Sequence, residues 1–204
     1  TVFWNSCRQV FPIILGHVLL GAPAAWAFAK FHFRGKKILY TLYIVLMLMP
    51  FQVTMVSSYL VLNKLGLIDT VWAVILPGAA STLPVFIMTR FFMDIPEAVM
   101  EAAAVDGASS FQTFLRFGLP LGAPGILSAV VLGFLEYWNA IEAPQAFLKN
   151  QALWPLSLYM SNITADNAGV SLIASLITLM PPLLIFLSGQ KYLEQGIISS
   201  GMKD

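Results

Sequence analysis

Five long apolar runs constrain the fold of this chain more than any other feature of its sequence. A helix needs about 20 mostly apolar residues to cross the hydrocarbon core of a bilayer. Of the five runs, the second, third and fifth contain no charged residue. The predicted spans are roughly Val10–Ala29, Ile38–Leu62, Val71–Thr89, Leu121–Ile141 and Val170–Gly189.

The composition of the chain excludes a water-soluble fold. Hydrophobic residues make up 58% of the sequence and charged residues 10%, whereas a soluble domain carries about 25% charged residues. The predicted fold class is therefore an all-α integral membrane protein, a polytopic helix bundle that forms one membrane domain over residues 1–204. The near balance of 11 basic and 10 acidic residues gives no sign of nucleic-acid binding. The single Cys7 excludes an internal disulfide and a cysteine-based metal cluster.

Prolines interrupt several of the predicted spans. A proline lacks a backbone donor and is expected to bend its helix. Membrane proteins tolerate such bends where neighbouring helices or a watery cavity satisfy the freed carbonyl groups, and broken helices are typical of transporters rather than of passive anchors. The prolines concerned are Pro23, Pro50, Pro77, Pro84, Pro181 and Pro182.

The distribution of Lys and Arg between alternate loops predicts the orientation of the chain, because these residues concentrate on the cytoplasmic side. One set of loops, with the tail, holds Lys30, Arg34, Lys36, Lys37, Arg90, Arg116, Lys191 and Lys203, and the other set holds only Arg8, Lys64 and Lys149. The C-terminus and the polar segment before the fourth span are therefore predicted to be cytoplasmic. Because the N-terminus is then outside, we expect at least one span upstream, about six in a full protein of which this chain is a fragment.

The polar segment 94–118 is predicted to form a helix, a turn and a second helix. In Asp94-Ile95-Pro96-Glu97 the aspartate can cap the first helix, the proline suits its first turn and the glutamate completes a capping-box pattern. This helix should run to about Val105 and end at Gly107, which can adopt the left-handed conformation. Ser109-x-x-Gln112 offers a second capping box.

Alanines make the first of these helices thin. Because Ala98, Ala102 and Ala103 have short side chains, another protein's surface can approach the helix backbone closely, and Glu101 and Asp106 offer anchors for a basic residue of that partner. The alternative interpretation is an ordinary interfacial helix built from good helix formers.

The same segment resembles the EAA loop of ABC importer permeases. The family pattern is EAA-x3-G-x9-I-x-LP, and it is matched by Glu101-Ala102-Ala103, Gly107 and Phe117-Gly118-Leu119-Pro120. The usual Asp-Gly-Ala is present as Asp106-Gly107-Ala108. Phe117 stands where the family usually has isoleucine, which exchanges one large apolar residue for another.

Further segments resemble the carbohydrate-uptake permeases, and specifically their MalG-like members. The basic loop 31–37 is similar to the loop after the second span of that family, and 60–70 is similar to its short external turn. Tyr137-Trp138-Asn139 resembles the Trp-Asn pair at the end of the penultimate span. The resemblance covers nearly the whole chain.

The resemblance implies a permease subunit that forms half of a solute pathway in a bacterial or archaeal cell membrane. It implies as partners a second permease subunit, two ATPase subunits and an extracytoplasmic solute-binding protein, with a carbohydrate-like solute. The residues it implies for ATPase coupling are Glu101, Ala102, Ala103, Asp106, Gly107, Ala108 and Pro120.

A nucleotide site is not predicted in this chain. The phosphate-binding pattern G-x4-G-K-[ST] is absent, since Gly16-x4-Gly21 is followed by Ala22. We therefore expect no cofactor in this chain, no catalytic residue and ATP hydrolysis by a partner subunit.

Four polar or aromatic residues are candidates for the translocation pathway: Gln52, Glu136, Trp138 and Asn139. An ionisable group in a membrane span is costly and often functional, although Glu136 lies close enough to the end of its span to reach the interface. Trp138 either stacks on a sugar or belongs to an interfacial aromatic belt. Gln52, beside Pro50, either lines a cavity or bonds a neighbouring helix.

Other classes of function fit the sequence less well. A secondary transporter needs ion-coupling carboxylates inside its spans, and only Glu136 is available. An intramembrane enzyme needs paired acids, histidine ligands or a nucleophile elbow, and none is present. A non-transporting assembly subunit stays open as an alternative. The external stretch Glu142–Gly169 is long enough to touch a binding protein, or else forms a re-entrant or capping loop.

Overall fold

The computed structural model describes residues 1–162 and 168–201, and those residues contain helices and no strand. The all-α prediction is confirmed for this part of the chain. Two π-helical segments, His17–Gly21 and Phe114–Gly118, and one 3₁₀ turn, Gln151–Leu153, connect α-helices. The α-helices are α1 (Val2–Gly16), α2 (Ala22–Lys30), α3 (Lys36–Leu48), α4 (Phe51–Lys64), α5 (Trp72–Ala79), α6 (Thr82–Met93), α7 (Glu97–Val105), α8 (Ser110–Thr113), α9 (Leu119–Leu121), α10 (Ala123–Trp138), α11 (Glu142–Phe147), α12 (Leu156–Ser161) and α13 (Ala168–Gly201).

Three helical stretches of the described chain are long and apolar enough to cross a membrane. They are Val2–Lys30, Trp72–Met93 and Ile173–Glu194. Two further pairs of helices, Lys36–Leu48 with Phe51–Lys64 and Ser110–Leu121 with Ala123–Trp138, pass the same test together but are sharply bent at a short break. The described residues therefore contain three candidate spans, or up to five when each bent pair is one span.

The first helix begins at Val2, eight residues before the predicted span. The residues at 1–9 include polar side chains that hydropathy counts against a span, but Asn5, Ser6 and Gln9 are buried on one side of α1. Their hydrogen bonds, described below, explain why this helix continues through a polar stretch.

Prolines act in three different ways in the structure. Pro50 starts α4 after the break that follows α3. Pro23 and Pro120 each lie two residues after a π-helical segment. A proline ring clashes with the carbonyl group four residues earlier in a regular α-helix, and the wider π turn makes room for that carbonyl group. Pro181 and Pro182, in contrast, lie inside the continuous helix α13.

The chain divides into two compact units, each with its own core. The first unit contains Thr1–Leu15, Met49–Ala80 and Leu132–Ser188, and the second contains Gly16–Leu48, Ser81–Val131 and Gly189–Asp204. Because each unit collects three separate chain segments, neither could be recognised from a contiguous stretch of sequence.

Aromatic rings form the core of the second unit. Trp26 of α2 lies edge-on to Phe92 of α6, with 5.3 Å between ring centroids, and at 5.6 Å from the ring of Phe114. Met88 and Ile95 are buried in the same cluster. This cluster lies directly beside α7 and the turn that precedes it, because Val99 and Met100 of α7 pack against it.

The first unit is held together by aromatic packing and by buried polar contacts. Trp138 stacks on Phe134 of the same helix at 5.3 Å and meets Phe3 of α1 edge-on at 5.7 Å. The polar side of α1 bonds the segment around Gln151–Leu153: Asn5 Nδ2 donates to the carbonyl groups of Ala152 and Trp154, Gln9 Nε2 donates to the carbonyl of Leu153, and the Ser6 hydroxyl accepts from the Leu156 amide.

Candidate functional site

Helix α7 exposes alanine and glutamate side chains on one side and is supported on the other side by the aromatic core around Trp26. Ala103 is 2% exposed, and Val99 and Met100 of the same helix pack, partly buried, against the aromatic core of the second unit. Because alanine has a short side chain, α7 can approach the underlying core closely. We call the opposite side the outer face of α7; its members are exposed, namely Glu97, Ala98, Glu101, Ala102, Ala104 and Val105.

The end of α7 explains why glycine occurs four residues after Ala103. Gly107 has φ +77°, a conformation that residues with a Cβ rarely adopt. Its amide donates to the carbonyl of Ala104 at 3.0 Å, and the Ala108 amide donates to that of Ala103 at 2.9 Å. These two bonds make a Schellman motif, which satisfies the last carbonyl groups of the helix. The predicted helix end at Asp106-Gly107 agrees with this geometry.

The same motif ends helix α4. There Gly66 has φ +69°, its amide donates to the Asn63 carbonyl, and the Leu67 amide donates to the Leu62 carbonyl. No heavy atom lies within 4 Å of a Cβ built on Gly66 or on Gly107, so both glycines are required by conformation and not by lack of space.

The predicted capping box at the start of α7 is wrong, whereas the one at α8 is present. Asp94 occupies the C-cap of α6, and Pro96 takes the N-cap of α7 without a side-chain hydrogen bond. Glu97 instead accepts a hydrogen bond from Lys30 of α2 at 3.2 Å. At α8, the Ser109 side chain accepts from the Gln112 amide while the Gln112 side chain accepts from the Ser109 amide.

The Phe117–Pro120 part of the motif packs against the support of α7. Gly118 is buried, and a Cβ at this position would lie 2.8 Å from the ring of Trp26. The amide of Leu119 donates to the carbonyl of Phe114, which closes the π turn, and Pro120 follows in exposed surroundings. The 117–120 part of the motif, through Gly118 and Leu119, and the part of α7 just before Glu101, through Val99 and Met100, therefore both rest on the aromatic core around Trp26.

The candidate pathway residues all belong to the first unit. Gln52 Nε2 donates to the carboxylate of Glu142, which lies on α11, at 2.6 Å. Asn139 Nδ2 donates to the Leu135 carbonyl of its own helix at 2.7 Å. Gln52, Glu136 and Asn139 are exposed, and their polar side chains are available to further partners.

Trp138 differs from the other three candidates because it is buried. Its side chain is 2% exposed, and its indole Nε1–H donates to the Thr178 carbonyl at 3.0 Å. Stacked on Phe134 and covered by Phe3, the ring has no free face for a sugar in this structure. Burial favours a packing role for Trp138 over direct contact with a solute.

The stretch after α10, which the sequence predicts to be external, makes contacts that the sequence did not indicate. The carboxylate of Asp69 accepts from the amides of Lys149 and Asn150 at 2.8 and 2.7 Å, and the Asp69 amide donates to the Phe147 carbonyl. Asp69 holds φ +62°, the left-handed region in which aspartate is one of the tolerated residues. Residues 163–167 of the predicted external stretch lie outside the described residues.

Among the described residues, no group of three or more His, Cys, Asp and Glu side chains is arranged to hold a metal ion. His17 is buried at the start of the first π segment. The candidate functional residues that the structure describes are therefore those on the exposed face of α7 and the polar positions on the candidate spans.

Comparison with known proteins decides the family. The sequence profile described as "Binding-protein-dependent transport system inner membrane component" matches residues 17–199. This chain belongs to that family. The match spans both units and the whole of the α7 region.

Relatives and a solved structure agree with this assignment. The chain is 26% identical to the arabinooligosaccharides transport system permease protein of Halalkalibacterium halodurans, over 100% of this chain and 74% of that protein. It is 30% identical to the diacetylchitobiose uptake system permease protein of Streptomyces coelicolor, over 98% of this chain and 68% of that protein.

A bacterial ABC transporter for import of the acidic polysaccharide alginate has a chain with the same fold, with a TM-score of 0.80 and 21% identity over 94% of this chain and 74% of that one. The carbohydrate-uptake permease resemblance is thereby confirmed, and the chain is a multi-pass membrane permease subunit of an ABC transport system. Neither a secondary transporter nor a non-transporting subunit is favoured.

Proposed function

We propose that this chain forms half of the translocation pathway of an ATP-driven importer for a sugar or a related solute. Its relatives named for arabinooligosaccharides and diacetylchitobiose support a carbohydrate as the solute class. The full assembly would contain a second permease subunit, two ATPase subunits and an extracytoplasmic solute-binding protein. ATP would be bound and hydrolysed by the ATPase partners, with this chain contributing no catalytic group.

The observation that carries the proposal is the exposed outer face of α7 above a fixed aromatic core. Glu101 and Ala102 are exposed, whereas Ala103 of the same helix is buried. Because α7 packs on the core of the second unit, a partner that binds α7 can move this unit together with the helix. We propose the motif residues Glu101, Ala102, Asp106, Gly107, Ala108 and Pro120 as the ATPase-coupling surface, formed by helix, turn and helix on the cytoplasmic side, with the buried Ala103 supporting it from beneath.

Within the first unit, we propose Gln52, Glu136 and Asn139 as polar groups of the solute pathway. Sugar hydroxyl groups both donate and accept hydrogen bonds, which amide and carboxylate side chains can match. Trp138 would support this region from the interior by fixing the position of α10, on which Glu136 lies.

The experiment compares two glycines that end helices in the same way. Proline at Gly107 cannot take φ +77° and removes the amide that bonds Ala104, so it should distort the end of α7. We expect Gly107→Pro to lower solute-stimulated ATP hydrolysis and transport by the reconstituted complex at least about tenfold, a cost of about 1.4 kcal/mol.

Gly66→Pro is the matched control, because it does the same damage to the Schellman motif of α4, whose Gly66 lies in the first unit. Insertion of both variants in the membrane is checked by their yield in purified membranes. Glu101→Lys should reduce ATPase association, whereas Glu194→Lys, on exposed α13, should not. If transport and stimulated hydrolysis both survive Gly107→Pro, the coupling role of α7 is wrong.

A further inference from the structure

Lys30 is the one charged residue that is buried among those whose side chains the structure describes. Its side chain is 2% exposed at the C-terminal end of α2. A buried ammonium group is costly unless hydrogen bonds and an opposite charge replace the water it loses. The sequence marked Lys30 only as one of eight cytoplasmic positive charges, a role that an exposed lysine fills equally well.

The Lys30 ammonium group bonds two residues at the start of α7, within the segment Ile95-Pro96-Glu97 that we call the base of α7. Nζ donates to the backbone carbonyl of Ile95 at 2.5 Å and to the carboxylate of Glu97 at 3.2 Å. Ile95 is itself buried in the cluster around Trp26, whereas the Glu97 side chain is 70% exposed. The hydrogen bond to the Ile95 carbonyl is therefore shielded from water, whereas solvent weakens the ion pair with Glu97.

The N-cap residue of α7 does not itself stabilise the start of the helix. Its N-cap is Pro96, which makes no side-chain hydrogen bond and has no backbone N–H to donate. Besides the packing of Ile95, Val99 and Met100 in the aromatic core, a hydrogen bond to the Ile95 carbonyl fixes the turn between α6 and α7. Lys30 reaches across 65 residues of sequence to supply that bond.

We propose that Lys30 is a positioning residue that fixes the base of α7 to the end of α2. A displacement imposed on α7 is then carried into the first membrane-spanning helix instead of being absorbed in the 94–96 turn. This inference rests on the proposed docking of an ATPase on α7, and it adds the connection through which the motion leaves that helix.

The first test measures how much solute is moved for each ATP hydrolysed by the full reconstituted transporter. In Lys30→Met, which keeps the length of the side chain and removes its charge, we expect the ATPase to associate as in the wild type and to hydrolyse ATP. The ratio of solute transported to ATP hydrolysed should fall at least about fivefold, the lower end of typical coupling between sites.

Two matched variants separate positioning from charge. Lys30→Arg keeps a cationic donor at the site and should recover most of the wild-type ratio. Lys37→Met removes an exposed lysine of the adjoining basic loop and should leave the ratio unchanged. An unchanged ratio in Lys30→Met, or an equal loss in Lys37→Met, overturns the inference.

A second measurement does not depend on transport. Nitroxide labels at Leu20→Cys and Val105→Cys, both exposed and both in the second unit, report the position of α7 relative to the first span when Cys7 is replaced by serine. We expect a narrow distance distribution in the otherwise wild-type complex and a broader one after Lys30→Met. Equal widths overturn the inference even if transport falls.

The outcomes also distinguish this inference from the proposed function. If no ATPase associates with the wild-type chain, the proposed function is wrong and the inference that depends on it fails as well. If association is normal in the wild type and in Lys30→Met but neither the ratio nor the distance distribution changes, the inference alone is wrong.

Discussion

Single glycines determine how closely the segments of the second unit can approach each other. A Cβ at Gly125 of α10 would lie 2.5 Å from the Cβ of Phe91, an atom that cannot rotate away because it is attached directly to the backbone. Gly169 of α13 has open space around it instead. Gly107 could be predicted from sequence because its role follows from local helix geometry, whereas the role of Gly125 depends on a contact with a distant segment.

We predict opposite effects of alanine at these two glycines. Gly125→Ala should destabilise the protein by about 1–3 kcal/mol, since an added methyl group forces apart packed segments. Gly169→Ala should stabilise it by about 0.5–1 kcal/mol, because alanine is the better helix former where there is room for its side chain. Thermal denaturation of the purified protein in detergent measures both, and a melting temperature raised by Gly125→Ala would contradict the packing argument.

Trp138 allows the packing and pathway interpretations to be separated at one residue. Trp138→Phe keeps an aromatic ring but removes the donor to the Thr178 carbonyl, which should cost about 1–3 kcal/mol for the unsatisfied group. We predict a lower melting temperature with an unchanged KM for solute uptake. Asn139→Ala, which alters an exposed neighbour, is the comparison. A KM raised by Trp138→Phe without loss of stability would show that the indole contacts the solute.

At the level of helices and connecting segments, α1 serves two purposes. Its apolar residues Val10 and Ile13 pack in the cores of the first unit, and its polar residues Asn5 and Gln9 donate hydrogen bonds to the segment around Gln151–Leu153. Without these donors, the carbonyl groups of Ala152, Leu153 and Trp154 would lose their side-chain hydrogen bonds. The folded state of this segment is thus a property of α1 as much as of its own sequence.

We predict that Asn5→Leu increases local unfolding of the segment around Gln151–Leu153. The substitution leaves the carbonyl groups of Ala152 and Trp154 without their side-chain donor, at a cost of about 1–3 kcal/mol. Limited proteolysis should then cut the chain near Lys149 faster than in the wild type. Arg8→Gln, an exposed change on the same helix, is the control and should leave the cleavage rate unaltered.

Local patterns predicted the helices well and their interruptions less well. Apolar runs located the candidate spans, and the capping box at Ser109 and the glycine end at Gly107 follow from side-chain and backbone chemistry within a few residues. The wrong assignment at Asp94 has a tertiary cause, because Glu97 bonds Lys30 of another helix instead of closing a local cap.

The same limit applies to Trp138, whose burial depends on Phe3 and Thr178 from distant parts of the chain. The π segments were also not predicted, although a proline two residues later is a signal for them in both cases.

The chain as a whole exposes large apolar side chains on several helices. Leu42 and Leu46 of α3, Val53 of α4, and Leu176 and Leu184 of α13 are all exposed. Apolar surface on this scale requires lipid or protein partners, which agrees with membership of a membrane-component family. Charged residues are few and lie mainly between the apolar stretches, so the loops carry the information about orientation.

Orientation in the membrane gives the last prediction. The excess of Lys and Arg in one set of loops predicts that α7 is on the cytoplasmic side and the turn at Leu65 is outside. Val105 and Leu65 are 87% and 63% exposed, so a cysteine at either position is open to reagents. Cys7 is the only cysteine, and Cys7→Ser therefore provides a background free of other thiols.

In that background, a membrane-impermeant maleimide should label Val105→Cys in inside-out vesicles and leave it unlabelled in right-side-out vesicles. Leu65→Cys should show the reverse pattern, and denaturing detergent should make both thiols reactive in either preparation. Labelling of Val105→Cys from outside would place α7 beyond the reach of a cytoplasmic ATPase. Because docking on α7 requires a cytoplasmic location, this result would contradict both the charge-based orientation and the coupling mechanism built on it.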